Sequence, residues 1–211
     1  MLRLPEVQFA DAESRLSAFL ENEWELYDGV PTPADSKLSL MDILISTMMN
    51  SRLDTADKVR AVWKGKSGAE SRLADIPPDL RLTDEAIPWE RLSNLFEAFL
   101  AIRGVGSAIA TKILYKKRPE LIPILDSVIV DTLHPFLPPP FLERRQADHI
   151  YMVEKLKLFR ELLLQHHERI RELRDRCAGE RYPVTMVRTL EILLWTQWEK
   201  RGYYRGGQSA A

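Results

Sequence analysis

Apolar residues recur at spacings of three, four and seven along almost the whole of this chain. Leu16, Phe19, Leu20 and Trp24 follow that spacing, as do Leu92, Leu95, Phe96 and Phe99, and later Met152, Leu156, Phe159, Leu163 and Ile170. This is the period of a helix with one face against a core. Strict alternation between Gly or Asn turns, the mark of a strand, is hard to find. The fold is therefore expected to be all-α. Helices are predicted over roughly residues 10 to 26, 40 to 49, 54 to 63, 89 to 102, 107 to 115, 126 to 133 and 184 to 200, with 146 to 176 as one long helix or two abutting ones. The 40 to 49 segment is apolar on nearly every side and reads as the central core helix. Gly65 and Gly68 mark a loose connection, and the prolines between 135 and 140 argue against helix there.

Composition sets the outer bounds. With 211 residues, 45% hydrophobic and 29% charged, the chain has ordinary globular make-up for one domain. Its formal charge of -1 gives no general attraction for polyanions, so nucleic-acid binding would need a local patch. One cysteine, Cys177, excludes an internal disulfide, a multi-thiolate zinc site and a four-cysteine iron–sulfur cluster. A reducing, cytoplasmic setting is expected. No run approaches the roughly 20 apolar residues of a membrane span, and the first residues carry no secretory pattern. Residues 202–211 lack periodicity and read as a flexible tail.

One stretch carries more information. In Phe99-Leu100-Ala101-Ile102-Arg103-Gly104-Val105-Gly106-Ser107-Ala108-Ile109-Ala110-Thr111-Lys112-Ile113-Leu114, a Gly-Val-Gly sits between two predicted helices. Two glycines allow a tight turn and leave the first N–H groups of the second helix open, a surface suited to a phosphate. Between residues 101 and 130, Arg103, Lys112, Lys116, Lys117 and Arg118 face only Glu120 and Asp126, a local excess of positive charge. A dinucleotide loop would need a preceding strand and a third glycine where Ile109 stands. An ordinary capped helical connection is the plainer alternative.

These residues resemble the helix-hairpin-helix DNA glycosylase superfamily of the endonuclease III type. The resemblance rests on Ile102, Gly104-Val105-Gly106, Ala110, Ile113-Leu114 and Asp126, twenty residues after Gly106, and covers roughly residues 38 to 135. Upstream, the run from Ile43 to Arg52 looks like the family's buried helix and probing loop, with Arg52 near the residue that probes the duplex. The run Lys117 to Val128 looks closer still to an uncharacterised bacterial branch. The resemblance implies a bilobed helical fold over residues 1–201, with a core at about 38–135, the hairpin at 92–115, and a second lobe from 1–37 and 136–201. It implies DNA as the partner, with the chain acting as a monomer away from membranes.

The implied chemistry is cleavage of the N-glycosidic bond of a damaged or modified base. Asp126 is the catalytic carboxylate, stabilising charge on the sugar or activating water. Asp is also a preferred helix N-cap, so Asp126 has a purely structural alternative. Arg103, Gly104, Val105, Gly106, Ser107, Lys112 and Lys116 are the expected DNA contacts, with Arg52 as the probe and Tyr27 as the residue stacking on an extruded base. The lysine of bifunctional members falls at Ala108, which implies a monofunctional enzyme unless Lys112 or Lys116 substitutes. No iron–sulfur cluster is expected; a monovalent cation on the carbonyls of Leu100, Ile102 and Val105 is the one cofactor implied. A non-catalytic DNA-binding module is the alternative. An all-α interaction protein without nucleic acid would follow if the basic side chains around the hairpin are paired with acids instead of free. Asp131 with His134 as a metal site, and His166-His167-Glu168 as a zinc helix, lack the ligands such sites need.

Overall fold

The structure, a computed structural model, describes residues 4–49, 53–142 and 147–199. Among the described residues ten α-helices follow one another: α1 Ala12–Glu23, α2 Leu40–Ile45, α3 Ala56–Ala74, α4 Trp89–Leu100, α5 Ser107–Lys117, α6 Ser127–Leu133, α7 Pro139–Leu142, α8 Asp148–Gln165, α9 His167–Cys177 and α10 Met186–Glu199. No strand occurs among the described residues, so the chain is all-α. Arg52 and the tail at 202–211 lie outside the described residues. Among those described, no helix is long and apolar enough to cross a membrane.

Several boundaries differ from expectation. Helix α3 continues through Gly65 and Gly68 to Ala74, because Val62, Ala69 and Leu73 extend its apolar face into the core. The proline-rich segment is partly helical: His134–Phe136 forms a 3-10 turn with Pro135 at its start, and Pro139 and Pro140 open α7. Proline tolerates a first turn because its missing N–H would find no partner there anyway. The long C-terminal amphipathic stretch divides into α8 and α9 at His166.

The buried stripe of α4, Leu92, Leu95, Phe96 and Phe99, packs against α3 on one side and α8 on the other. Helices α1, α9 and α10 pack together, and α10 also touches α6 and α8. Arg15 of α1 donates to the Leu193 carbonyl and to Thr196 Oγ1, both at 2.9 Å, fastening α1 to α10. The main apolar core draws on residues from Val7 to Leu194, and a second, smaller cluster holds Tyr27, Ile45, Tyr115 and Ile124.

The most enclosed helix is α5, not α2. Leu40, Met41 and Leu44 of α2 are exposed, while every residue of α5 from Ile109 to Lys117 is buried. Its lysines are interior because carbonyls and carboxylates receive them. Lys116 Nζ donates to the carbonyls of Tyr27, Asp28 and Val30 at 2.9, 3.3 and 2.7 Å. Lys117 Nζ meets the Pro33 carbonyl and Asp35 Oδ1 at 3.0 Å and Asp42 Oδ2 at 2.8 Å. Arg118 donates to the carbonyls of Leu73, Ile76 and Ala34 at 3.2, 2.9 and 2.9 Å. The basic run thus staples the irregular segment between α1 and α2 onto the end of α5, satisfying backbone groups that have no helix of their own.

Candidate active site

The turn between α4 and α5 is built from its glycines. Gly104 sits at φ +84°, a left-handed conformation that side chains adopt with strain. Gly106 is extended, and a Cβ there would meet no atom within 4 Å, so neither backbone angle nor packing requires glycine at that position. No side chain caps α5; its first intrahelical bond runs from Ala110 N–H to the Gly106 carbonyl at 3.0 Å. The N–H groups of the first turn are therefore left for water or a ligand. Val105 turns its side chain into the core and its N–H donates to the Ile102 carbonyl at 3.0 Å. Ile102 oxygen thus keeps one lone pair, and a cation drawing on Leu100, Ile102 and Val105 would share that oxygen.

The hairpin opens onto a cleft of about 740 Å³, lined by Gly104, Gly106, Ser107 and Ala108 on one side and by Asp126, Ser127 and Val130 on another. Asp126 both caps and faces this cleft. Ile129 N–H donates to its Oδ1 at 3.0 Å, while the carboxylate lies half-buried at the start of α6. Burial pushes its carboxyl above the ordinary range, against the opposing pull of the Ile129 N–H and Lys112. The segment leading to it is held at both sides: Ile124 N–H donates to Glu191 Oε2, and Leu125 N–H to Thr111 Oγ1, each at 3.0 Å.

Helix α10 supplies the floor. Arg188 and Glu191 line the cleft with side chains 1% and 4% exposed. Arg188 Nε donates to both Asp28 oxygens at 3.0 Å, Nη2 to Asp28 Oδ2 at 2.8 Å, and Nη1 to Glu191 Oε1. Burial opposes the guanidinium charge, but Asp28 and Glu191 outweigh it and hold Arg188 above its ordinary value. Glu191 has one shared cation against full burial, and desolvation pushes its carboxyl up to about 8. The pair was legible in principle: two charges three residues apart interrupt the apolar run Val187 to Leu194. The aromatic walls, Phe19 and Trp195, pack edge to face with ring centroids 6.2 Å apart.

Several expected contacts fall elsewhere. Tyr27 cannot stack on a base, because it is fully buried, stacked on Tyr115 and donating its hydroxyl to the Lys112 carbonyl. Its neighbours in sequence hid this: the segment is irregular, but it lies beneath α5. Lys116 is spent on carbonyls and is not available to DNA. Lys112 lines the cleft but is only 4% exposed, with Nζ donating to the Met49 carbonyl, so it belongs to the cleft wall and not to the outer surface. Burial lowers its ammonium pKa, although Asp126 and Glu191 favour the charge. Arg103 is exposed beside the turn and has no ion pair among the described residues. His134 Nδ1 pairs with the Tyr151 hydroxyl. Among the described residues, no three His, Cys, Asp or Glu side chains gather as metal ligands.

Comparison with curated proteins and with solved structures found no match. The profile of a family of unknown function (DUF6308) matches residues 9–198, most of the chain, and the protein belongs to that family.

Proposed function

We propose that the protein is a DNA-binding, bilobed helix-hairpin-helix enzyme that hydrolyses the N-glycosidic bond of a damaged or modified base, with Asp126 as its carboxylate. One observation carries this reading: an uncapped Gly-Val-Gly hairpin and a half-buried carboxylate open onto the same cleft. The hairpin N–H groups and Arg103 would take the DNA backbone, since α5 presents its positive end there. A monovalent cation on the turn carbonyls would add charge against the same phosphate. Phe19 and Trp195, not Tyr27, supply the aromatic faces a flipped base could enter against. Asp126, held by the Ile129 N–H, would stabilise the positive sugar or orient water beside it. A cleft of this size lies within the usual range for ligand pockets.

A non-catalytic DNA-binding module is the second reading. It is favoured by Asp126 serving as the N-cap of α6, its Oδ1 accepting from the Ile129 N–H, while the engagement of Lys112, Lys116, Lys117 and Arg118 inside the protein leaves little free positive charge near the hairpin and counts against DNA in either reading. The two readings separate on one experiment. Oligonucleotides carrying a panel of alkylated, oxidised and deaminated bases are incubated with wild type and with Asp126→Asn, and free base is quantified. Release by wild type and its loss in Asp126→Asn supports the enzyme; equal release by both removes Asp126 from the chemistry.

A further inference from the structure

A second cavity, of about 370 Å³, lies apart from the cleft and shares no lining residue with it. Its walls are the loop at 81–83, Glu120, one face of α9 and the start of α10. Arg81, Arg171 and Arg174 line it, and Glu120 is the only acid among its described lining residues. We propose that this cavity binds a small organic phosphate, a phosphomonoester dianion carrying an apolar group.

The cations are brought together by two elements. His167, Arg171 and Arg174 lie at i, i+4 and i+7, on one face of α9. Arg81 comes from a loop that is held in place: Leu82 N–H donates to the Glu120 carbonyl at 2.9 Å, and Arg160 donates to the carbonyls of Leu82 and Asp84 at 2.9 and 2.8 Å. Thr185 Oγ1 donates to the Pro119 carbonyl at 3.0 Å, which ties the residues before Glu120 to those leading into α10. A ligand would therefore meet formed walls, without the cost of ordering a loop.

The charges are poorly matched within the protein. The Arg81 guanidinium has no hydrogen bond or ion pair among the described residues. Arg171 and His167 Nδ1 both meet Glu168, and Arg174 meets Asp175 at 2.7 Å, all with partners at the exposed surface. Such pairs contribute about 0–1 kcal/mol and give way readily to a stronger acceptor. The Glu120 carboxylate also lacks a hydrogen bond or ion pair among the described residues, and burial pushes its carboxyl up against the pull of Arg81 and Arg174. Three guanidiniums against one carboxylate leave a charge of +2 in the wall. A phosphomonoester neutralises it; a carboxylate or a backbone phosphodiester, with one charge each, does not. Beneath the cations the floor is apolar, made by the buried side chains of Leu163, Met186 and Val187. The volume is at the small end of ligand pockets, with room for one ring and its phosphate.

The test titrates the whole chain near pH 8 with phenyl phosphate, a dianion on an apolar ring, and maps which arginines it shields from phenylglyoxal. Peptide mapping of the wild type should show Arg81, Arg171 and Arg174 protected together while the exposed Arg60 reacts as before, so no variant has to fold. By calorimetry, phenyl phosphate should bind more tightly than inorganic phosphate, which lacks the ring, and than benzoate, which carries one charge. Arg81→Gln should weaken it roughly tenfold, the loss of about one charge-assisted hydrogen bond. Glu120→Gln should tighten it by removing the opposing charge. Protection of Arg103 at the hairpin in place of these three arginines, or benzoate binding as tightly as phenyl phosphate, overturns the proposal. Shielding of the three by duplex DNA at low salt, but not by phenyl phosphate, overturns it as well and makes the cavity a nucleic-acid contact.

Discussion

Replacing Arg188 with Met leaves Asp28 and Glu191 facing each other inside the protein without the cation between them. In the wild type, the guanidinium is 1% exposed and binds side chains that are 3% and 4% exposed, so little water is at hand to take its place. Breaking a buried ion pair from one side costs about 3–5 kcal/mol, because a carboxylate stays behind unpaired. For a chain of this size that corresponds to a fall in Tm of about 6–20 °C. The loss depends on pH in a defined direction. Glu191 has a folded-state pKa of about 8, above the ordinary 4.5, so its protonated form is favoured by folding. Its favourable contribution is full below about pH 4.5 and disappears as pH rises through about 8. Without Arg188 the carboxyl is raised further, so the deficit of Arg188→Met should grow from pH 5 to pH 8.5. Urea unfolding across that range measures it, and adding Glu191→Gln should recover part of the loss at the alkaline end. A deficit below about 1 kcal/mol at pH 8.5, or one that does not change with pH, would refute the buried network as described.

Asp126→Asn should fold as well as wild type, within about 0.5 kcal/mol, since Asn caps a helix nearly as well, whereas Asp126→Ala should lose about 1 kcal/mol of cap; thermal melts compare them. If Asp126 acts as a carboxylate, wild-type base release should rise with pH through a midpoint above the ordinary Asp value, because burial raises its pKa. Gly104→Ala should destabilise by about 1 kcal/mol or more through its positive φ, while Gly106→Ala should leave Tm unchanged and weaken DNA binding, a contrast read by melting and by fluorescence anisotropy. Tyr27→Phe should cost about 1 kcal/mol for the lost bond to the Lys112 carbonyl and leave the choice of base untouched; a change in base preference would return Tyr27 to the site.

The sequence made the helices and the hairpin readable because both are local. The apolar stripe of α4, the Gly-Val-Gly turn and the N-cap at Asp126 each depend on residues within a few positions of one another. Lys116, Lys117 and Arg118 read as a phosphate-binding cluster for the same reason: next to Gly104 and Gly106, nothing local opposes them. The partners of Lys116 and Lys117 are carbonyls and carboxylates in residues 27 to 42, more than seventy positions upstream, and Arg118 adds the carbonyls of Leu73 and Ile76; no spacing rule announces that meeting. Helix α2 is the converse case. Its apolar sequence reads as central, but Leu40, Met41 and Leu44 are exposed, and burial falls to the lysine-bearing α5, onto which the upstream segment folds. The cleft floor was hidden by distance as well, with Arg188 and Glu191 arriving on the last helix beside an aspartate from the first quarter of the chain.

The most direct test of the site is the salt dependence of DNA binding, measured with duplexes that carry an abasic-site analogue or intact bases. The account predicts tighter binding to the abasic analogue, with a shallow slope of about −1 in log K against log salt, since at the hairpin, among the described residues, Arg103 and the uncapped start of α5 are the contacts left for phosphate. Equal affinity for both duplexes, or no binding at low salt, would contradict a base-extruding cleft.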